Sequence, residues 1–278
     1  MARGGPAGGH GRRVNPRRKQ SASSGLLSPY PLQATAARKR SLSVMPARDA
    51  IYSLMAGSSQ FADLDPTALR SLAGRCRPKT FGAGQLIFME GDRCRDLCIL
   101  ESGRVKFFRM NREGREQVLK VFERPGDIFC IASAFSTGSH IVSARAMTET
   151  RLHLLDVDAV HRLTQEHPSV GLKMVGTAGE HMTHLVSLAD DLALKTATGR
   201  LAKYLYELAV KEGAAKAATA QFTRDRLRAE ELAALLGTVR VHISRSLTTL
   251  ADAGAIDLDR RFIRIRDLAI LRRFFAGK

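Results

Sequence analysis

Residues 230–250, EELAALLGTVRVHISRSLTTL, constrain this chain more than any other stretch. Leu232, Leu235 and Leu236 recur at helical spacing around Ala233 and Ala234, which predicts a short helix with one apolar face. Gly237 then supplies the backbone freedom of a tight helix-to-helix turn. In the next helix Ile243, Leu247 and Leu250 fall on one side, while Arg240, His242, Ser244 and Arg245 face outward. Ala233 marks the crossing, where a larger side chain would push the helices apart. Taken alone, this pattern also fits an ordinary helical hairpin. The residues behind it decide the matter: 255–258 and 262–265 alternate around the polar turn Asp259-Arg260-Arg261, as a β-hairpin does. A hairpin directly after the second helix is a wing, and the unit reads as a winged helix-turn-helix whose second helix suits a DNA major groove. Residues 221–278 hold 12 Lys+Arg against 7 Asp+Glu, a net of +5 that suits a polyphosphate.

The rest of the chain is long enough for two domains, since it has 278 residues in all. Its formal charge of +17 is unevenly placed. Residues 1–48 carry 10 Lys+Arg and no acid, which leaves +7 for the remainder. That segment is rich in Gly, Pro, Ser and Ala without a hydrophobic period, so it is expected to be a disordered basic tail. It reads as a non-specific nucleic-acid arm, as an inert tail, or as the product of a start placed upstream of Met45 or Met55. No apolar run approaches the ~18–20 residues of a membrane span, and no apolar signal segment precedes a cleavage site. The expectation is a cytoplasmic protein with no membrane partner. In that compartment Cys76, Cys94, Cys98 and Cys130 stay reduced. Cys94 and Cys98 are spaced C-x3-C with no second pair or nearby His, so no structural zinc site is expected, and with Cys76 they read as small, partly buried hydrophobes.

Residues 61–75 carry helix signals, with Asp65-Pro66 as the start. From Arg77 to Asp156 short apolar runs alternate with glycine turns: 80–81, 85–89, 97–100, 105–109, 118–122, 141–146 and 152–155. Many short strands with glycine turns predict an antiparallel barrel or roll. A short helix is expected from Val157 to about Glu166, then a long one from Ser169 to about Leu194. The long helix carries two apolar stripes. Val170, Met174, Ala178, His181, Leu185, Leu188 and Leu192 form one; Leu172, Val175, Met182, Val186 and Ala189 form the other. Two stripes need two covering surfaces, the roll and either a partner helix or more of the same monomer. Met174, Ala178, Met182, Leu185, Ala189 and Leu192 are the expected dimer contacts. A further helix, 199–210, precedes a polar, Ala-rich linker near 211–220.

The order of roll, long helix and winged helix-turn-helix resembles the CRP/FNR family of bacterial transcription regulators over nearly all of residues 55–275. The residues that carry the resemblance are Phe81-Gly-Ala-Gly-Gln85, Glu90-Gly-Asp92, Leu97 to Leu100 with Gly103, Pro125-Gly-Asp-Ile-Phe129, Asp191-Leu-Ala193 with Thr198-Gly-Arg-Leu201, and Gly237 to Leu247. It implies an α+β chain: a basic tail at 1–48, a cyclic-nucleotide-binding-like β-roll at 55–166, a dimerisation helix at 167–195 and a DNA-binding domain at 196–278. It also implies a homodimer on palindromic double-stranded DNA, with RNA polymerase as a further partner. Val239, Arg240, Val241, His242, Ser244 and Arg245 are the expected DNA contacts. Arg pairs with guanine O6 and N7, but Val241 stands where the family usually carries a Glu that reads a base edge, so a different half-site is expected.

The resemblance places the effector at Cys130, Ile131, His140, Ile141, Leu185 and Val186. Cyclic-AMP-binding members hold ribose and phosphate with a Gly-Glu and an Arg-Ser pair. Here those positions read Cys130-Ile131 and His140-Ile141, and the adenine-facing pair reads Leu185-Val186. Cyclic AMP is therefore not expected, because its phosphate would lose its arginine. An iron–sulfur cluster is not expected either, because residues 1–75 contain no Cys. The loop around Cys130 is similar to that of the family's CO-sensing haem regulator, whose matching Cys ligates iron. The His two residues later there is Ala132 here, so His140, His181 or His184 would have to serve. The alternatives are a redox- or electrophile-sensing thiol, or a packed thiol beside an apolar cavity for a small organic ligand. No nucleophile–base–orienter set, phosphate loop or spaced carboxylate pair points to an enzyme.

Overall fold

In the computed structural model the described residues are 47–212, 220–224 and 226–276. The basic N-terminal segment lies outside them except for Ala47 and Arg48, which begin a helix, α1 (Ala47–Ala56), rather than ending a tail. Ile51 and Met55, one turn apart, are buried in the first core, and that apolar pair explains why a helix forms behind a basic stretch. In α2 (Pro66–Ala73), the Asp65 carboxylate accepts from the amides of Thr67 and Ala68 at 2.9 and 3.0 Å, as the Asp-Pro start predicts.

Eight strands follow: β1 (Arg77–Phe81), β2 (Leu86–Phe88), β3 (Asp96–Ser102), β4 (Val105–Met110), β5 (Glu116–Phe122), β6 (Ile128–Phe129), β7 (Ser143–Ala146) and β8 (Thr150–Asp156). They make two antiparallel four-stranded sheets, ordered β1-β8-β3-β6 and β2-β7-β4-β5. Every run anticipated from the glycine-punctuated pattern is a strand. β6 is an addition, since two residues cannot display an alternation. The roll core is dense in Leu97, Ile99, Leu100, Phe122, Ile128, Phe129, Leu152 and Leu155, each contributing about 1.5–3 kcal/mol of burial.

α3 (Val157–Glu166) and α4 (Pro168–Leu194) follow as expected, and on α4 the expected dimer contacts are divided between its two stripes. Met174 is 3% exposed and belongs to the roll core, and Ala178 packs against the same core. Met174 has no face left for a partner, which corrects its expected role as a dimer contact, while Ala178 is only half-buried. The exposed apolar residues include Leu172 at 73%, Val175 at 70%, Met182 at 63% and Val186 at 55%. With the exposed Gly179 and Ala189 they fall at 172, 175, 179, 182, 186 and 189. That alternation of three and four is the spacing of a heptad repeat.

The second core is built from α5 (Ala197–Lys211), α6 (Ala229–Leu235), α7 (Arg240–Asp252), β9 (Gln221–Thr223), β10 (Ile256–Leu258), β11 (Phe262–Ile265) and α8 (Leu268–Arg273). The wing hairpin β10–β11 pairs as expected, Ile256 opposite Ile265. β9 adds a third strand on the far side of β11. α8 is also additional. It is capped by Asp267, which accepts from Ala269 and Ile270 at 2.7 and 3.1 Å.

Candidate nucleic-acid interface and effector region

The turn between α6 and α7 is held by Gly237 at φ +62°, and the amide of Thr238 donates to the carbonyl of Ala233 at 3.0 Å. A Cβ at Gly237 would strike Leu192 on α4 and Gln117 on β5, so the turn seats directly on the roll and the end of the long helix. Arg200 clamps the same turn. Its Nε donates to Leu236 at 2.7 Å, and its Nη1 reaches back to Lys195 at 2.6 Å. Burial lowers the Arg200 pKa, with the Asp191 charge opposing. Asp191 in turn binds Lys195 and accepts from Lys203 at 2.5 Å. Burial works to raise the Asp191 pKa, but these two ammonium groups more than offset it and hold the carboxyl below its ordinary value. Thr198 meets the buried Ser246 of α7 at 2.9 Å, and a side chain on Gly199 would collide with the carbonyl of Phe274. The sequence patterns at 191–193 and 198–201 are thus the bracket that fixes α7.

On α7, Ile243, Ser246, Leu247 and Leu250 are buried. Val239, Arg240, Val241, His242, Ser244 and Arg245 are all exposed, as the helical spacing implies. Arg240 ion-pairs with Glu230 of α6 at 3.1 Å, with both groups open to solvent. Such a pair is worth ~0–1 kcal/mol and is readily exchanged for a base edge or a phosphate. His242 Nδ1 lies 3.2 Å from the Thr238 hydroxyl. Thr248 and Thr249 share the open face, but their hydroxyls turn back onto the carbonyls of Ser244 and Arg245 at 3.3 and 3.0 Å. The wing tip adds Arg260 and Arg261, both exposed, beside an Asp259 carboxylate that caps the turn through the amides of Arg261 and Phe262. Their sequence signal was already present in the charged turn, where it marked a hairpin rather than a contact.

The six expected effector residues divide by burial. Cys130, Ile131 and His140 are buried, whereas Ile141, Leu185 and Val186 are exposed. Burial lowers the His140 pKa, and its ring stacks on Phe88 with centroids 3.6 Å apart. No cation stands among these six residues to meet a phosphate. A cavity of about 640 Å³ lies elsewhere, between β4, β5, α4, α5 and α6, lined in part by Lys120, His184, Tyr204, Glu207 and Leu235. None of the six residues lines it. Burial, and then the thiols of Cys94 and Cys98, raise the pKa of Cys130 well above the usual thiol range. Of the substitute histidines, His181 meets the edge of Phe122 and His184 Nε2 is engaged by the carbonyl of Leu119 at 2.9 Å.

Among the described residues no helix is long and apolar enough to cross a membrane, and no group of three or more His, Cys, Asp or Glu is placed to hold a metal ion. A cyclic nucleotide-binding domain model matches residues 78–167, and a Crp-like helix-turn-helix domain model matches residues 199–274. The CRP-like cAMP-activated global transcriptional regulator of Mycobacterium tuberculosis is 30% identical over 220 residues, which cover 79% of this chain and 97% of the relative. The chain belongs to the CRP/FNR family of transcription regulators. As a member of that family it is a DNA-binding regulator, and its relatives are regulators rather than enzymes. Two solved structures share the fold. The c-di-GMP-responsive global regulator CLP of Xanthomonas campestris matches with a TM-score of 0.64 at 20% identity, over 73% of this chain and 100% of that one. A CooA variant from Carboxydothermus hydrogenoformans matches with a TM-score of 0.60 at 22% identity, over 76% and 91%.

Proposed function

We propose that the chain is a homodimeric, sequence-specific regulator that reads palindromic duplex DNA and answers to an effector other than cyclic AMP. The observation that carries this reading is the open face of α7, where Val239, Arg240, Val241, His242, Ser244 and Arg245 stand clear of the second core. Arg240 and Arg245 are suited to guanine edges and phosphates, and Val241 to a thymine methyl. Arg260 and Arg261 at the wing tip suit the flanking phosphates.

The heptad seam on α4 supports the dimer. Met182 and Ala189 lie in that seam, and Leu185 and Leu192 flank it. A two-fold pair of α7 helices set one DNA turn apart would read two half-sites. The four parts run as a basic segment ahead of α1, a roll unit at 47–166 that includes α1, a dimer helix at 167–195 and a DNA-binding unit at 196–278. RNA polymerase is the protein partner that such a regulator engages, and the working place is the cytoplasm. Against cyclic AMP stands the loop of Cys130, Ile131, His140 and Ile141, where the anion would meet no guanidinium.

Selection from a random duplex pool tests the reading. The expected result is an enriched palindrome with half-site centres about 10–10.5 bp apart. A pool that enriches no sequence, or only single half-sites, would contradict it.

A further inference from the structure

The cavity of about 640 Å³ between the roll and helices α5 and α6 is half-open to solvent, so a ligand has a way in. Most of its surface is apolar, with Val118, Val121, Leu188, Leu208, Leu232 and Leu235 in the wall. Two clusters of charge interrupt that wall. In the first, Lys106 on β4 stands directly opposite Arg145 on β7, with Val121 of β5 on its other side. Like charges facing one another across a ladder repel. Both cations bind the one carboxylate of Glu116, and Lys106 and Glu116 are only 16% and 18% exposed. In the second cluster Arg104 ion-pairs with Glu123 at 3.2 Å, and Lys211 of α5 binds the same carboxylate.

Each carboxylate thus serves two cations, and each cluster keeps one positive charge in excess. The wider balance agrees. Among the described residues seven Lys and Arg line the cavity, while five carboxylates line it or pair with those cations. Arg104 and Lys106 are two residues apart, about 6.6 Å in extended chain, which the two ends of one small molecule can span. A neutral apolar ligand would leave both excess charges unanswered. A lone inorganic anion would answer one of them and leave the apolar wall wet.

We propose that this cavity is the effector site and that it takes an α,ω-dicarboxylate, with one carboxylate on each cluster and the apolar chain against the valine and leucine wall. This rests on the reading of the chain as an effector-answering regulator. Lysine and arginine meet a carboxylate through short charge-assisted hydrogen bonds, and the guanidinium can do so twice over. The bound diacid would tie β4 and β7 to α5 and α6. α6 leads through the Gly237 turn into α7, so a diacid that prefers one seating of α6 shifts the affinity for DNA.

Calorimetry on the full-length protein without DNA tests the site. The probes are adipate, suberate and sebacate, with octanoate and 1,8-octanediol as chain-matched controls. The expected result is one diacid bound per protomer, with octanoate about tenfold weaker or worse. Lys106→Met and Lys211→Met each remove one excess charge and should bring the diacid down to the octanoate level, with melting curves to show that both fold. Glu123→Gln leaves more positive charge and should tighten the diacid, a gain that no unfolded variant can imitate. Val186→Glu on the exposed stripe of α4 should leave binding unchanged. No diacid binding, octanoate equal to the diacid, or charge variants without effect overturns the site. The diacid should also change affinity for the selected palindrome about fivefold or more, and a change within about twofold overturns its role as effector. If no palindrome is ever selected, the calorimetry still decides the site, so the two readings fail separately.

Discussion

Helices α4 and α7 are built on one plan and differ in what they leave uncovered. Each has a stripe sunk in its own core: Val170, Met174 and Thr177 in α4, and Ile243, Ser246, Leu247 and Leu250 in α7. The other stripe is exposed in both. On α4 it is Leu172, Val175, Met182 and Val186, an apolar row with no solvent-side chemistry. On α7 it is Arg240, His242, Ser244 and Arg245, with Val239 and Val241 among them. The buried stripes say only that both helices are anchored. The exposed stripes carry the functional information, since an apolar row wants another apolar row and a cationic row wants a polyanion.

The comparison can be broken at either helix. The largest effect is expected from Val186→Glu. In the protomer this residue is in solvent, so melting of the isolated chain should change little. In a two-fold seam it would bury two uncompensated like charges, one from each protomer, each costing about 3–5 kcal/mol. Light scattering across a dilution series should show the dimer of the wild type giving way to monomer. A dimer that survives unchanged would remove α4 from the interface. Next comes Leu250→Ala, expected to cost about 2–5 kcal/mol of folding stability by denaturant melts, because Leu250 is fully enclosed in the second core. Val241→Ala on the open face of the same helix should stay within about 0.5 kcal/mol of wild type. Equal losses at the two positions would mean that α7 is not oriented as described.

Arg240→Ala should weaken binding to the selected palindrome by about 1–3 kcal/mol and relax the preference at one base pair. Uniform weakening on all sequences would reduce Arg240 to a phosphate contact. The smallest effect concerns the seat of α4 on the roll. Burial lowers the pKa of Lys120 on β5 to about 8, with Arg124 adding to this and the charges of Asp127 and Glu180 opposing. Its folded value thus lies below its unfolded one, so the folded state loses this proton first and stability rises with pH between about 8 and the ordinary lysine value of 10.5. Below that window the buried ammonium is a cost. Lys120→Met should therefore raise the melting temperature at neutral pH, and its advantage should fade above the upper end of the window. A constant advantage across pH would point to packing rather than charge.

What could be read in the sequence follows from the same contrast. α7 was legible because one apolar stripe at helical spacing, flanked by cations, has a single orientation. α4 was legible as a helix but not as an interface. Its two stripes interleave, and periodicity alone does not say which one meets the roll; Met174 is buried in the core with Ala178 packed against it, and the stripe of Leu172, Val175, Met182 and Val186 is the exposed one. β6 was too short to show a period, and α1 was hidden behind a basic segment. The effector residues were placed by resemblance to relatives whose loops hold a ligand. Here Cys130 and His140 turn inward to thiols and to Phe88, and nothing in local composition announces that turn.

The account rests on two copies of α7 working through one α4 seam, and a salt titration of duplex binding with stoichiometry measured by sedimentation tests that most directly. The expected result is two protomers per palindrome, with log K falling linearly and steeply as log salt rises, and the cooperative half of that affinity lost in Val186→Glu. One protomer per duplex, or an affinity that does not change with salt, would contradict it.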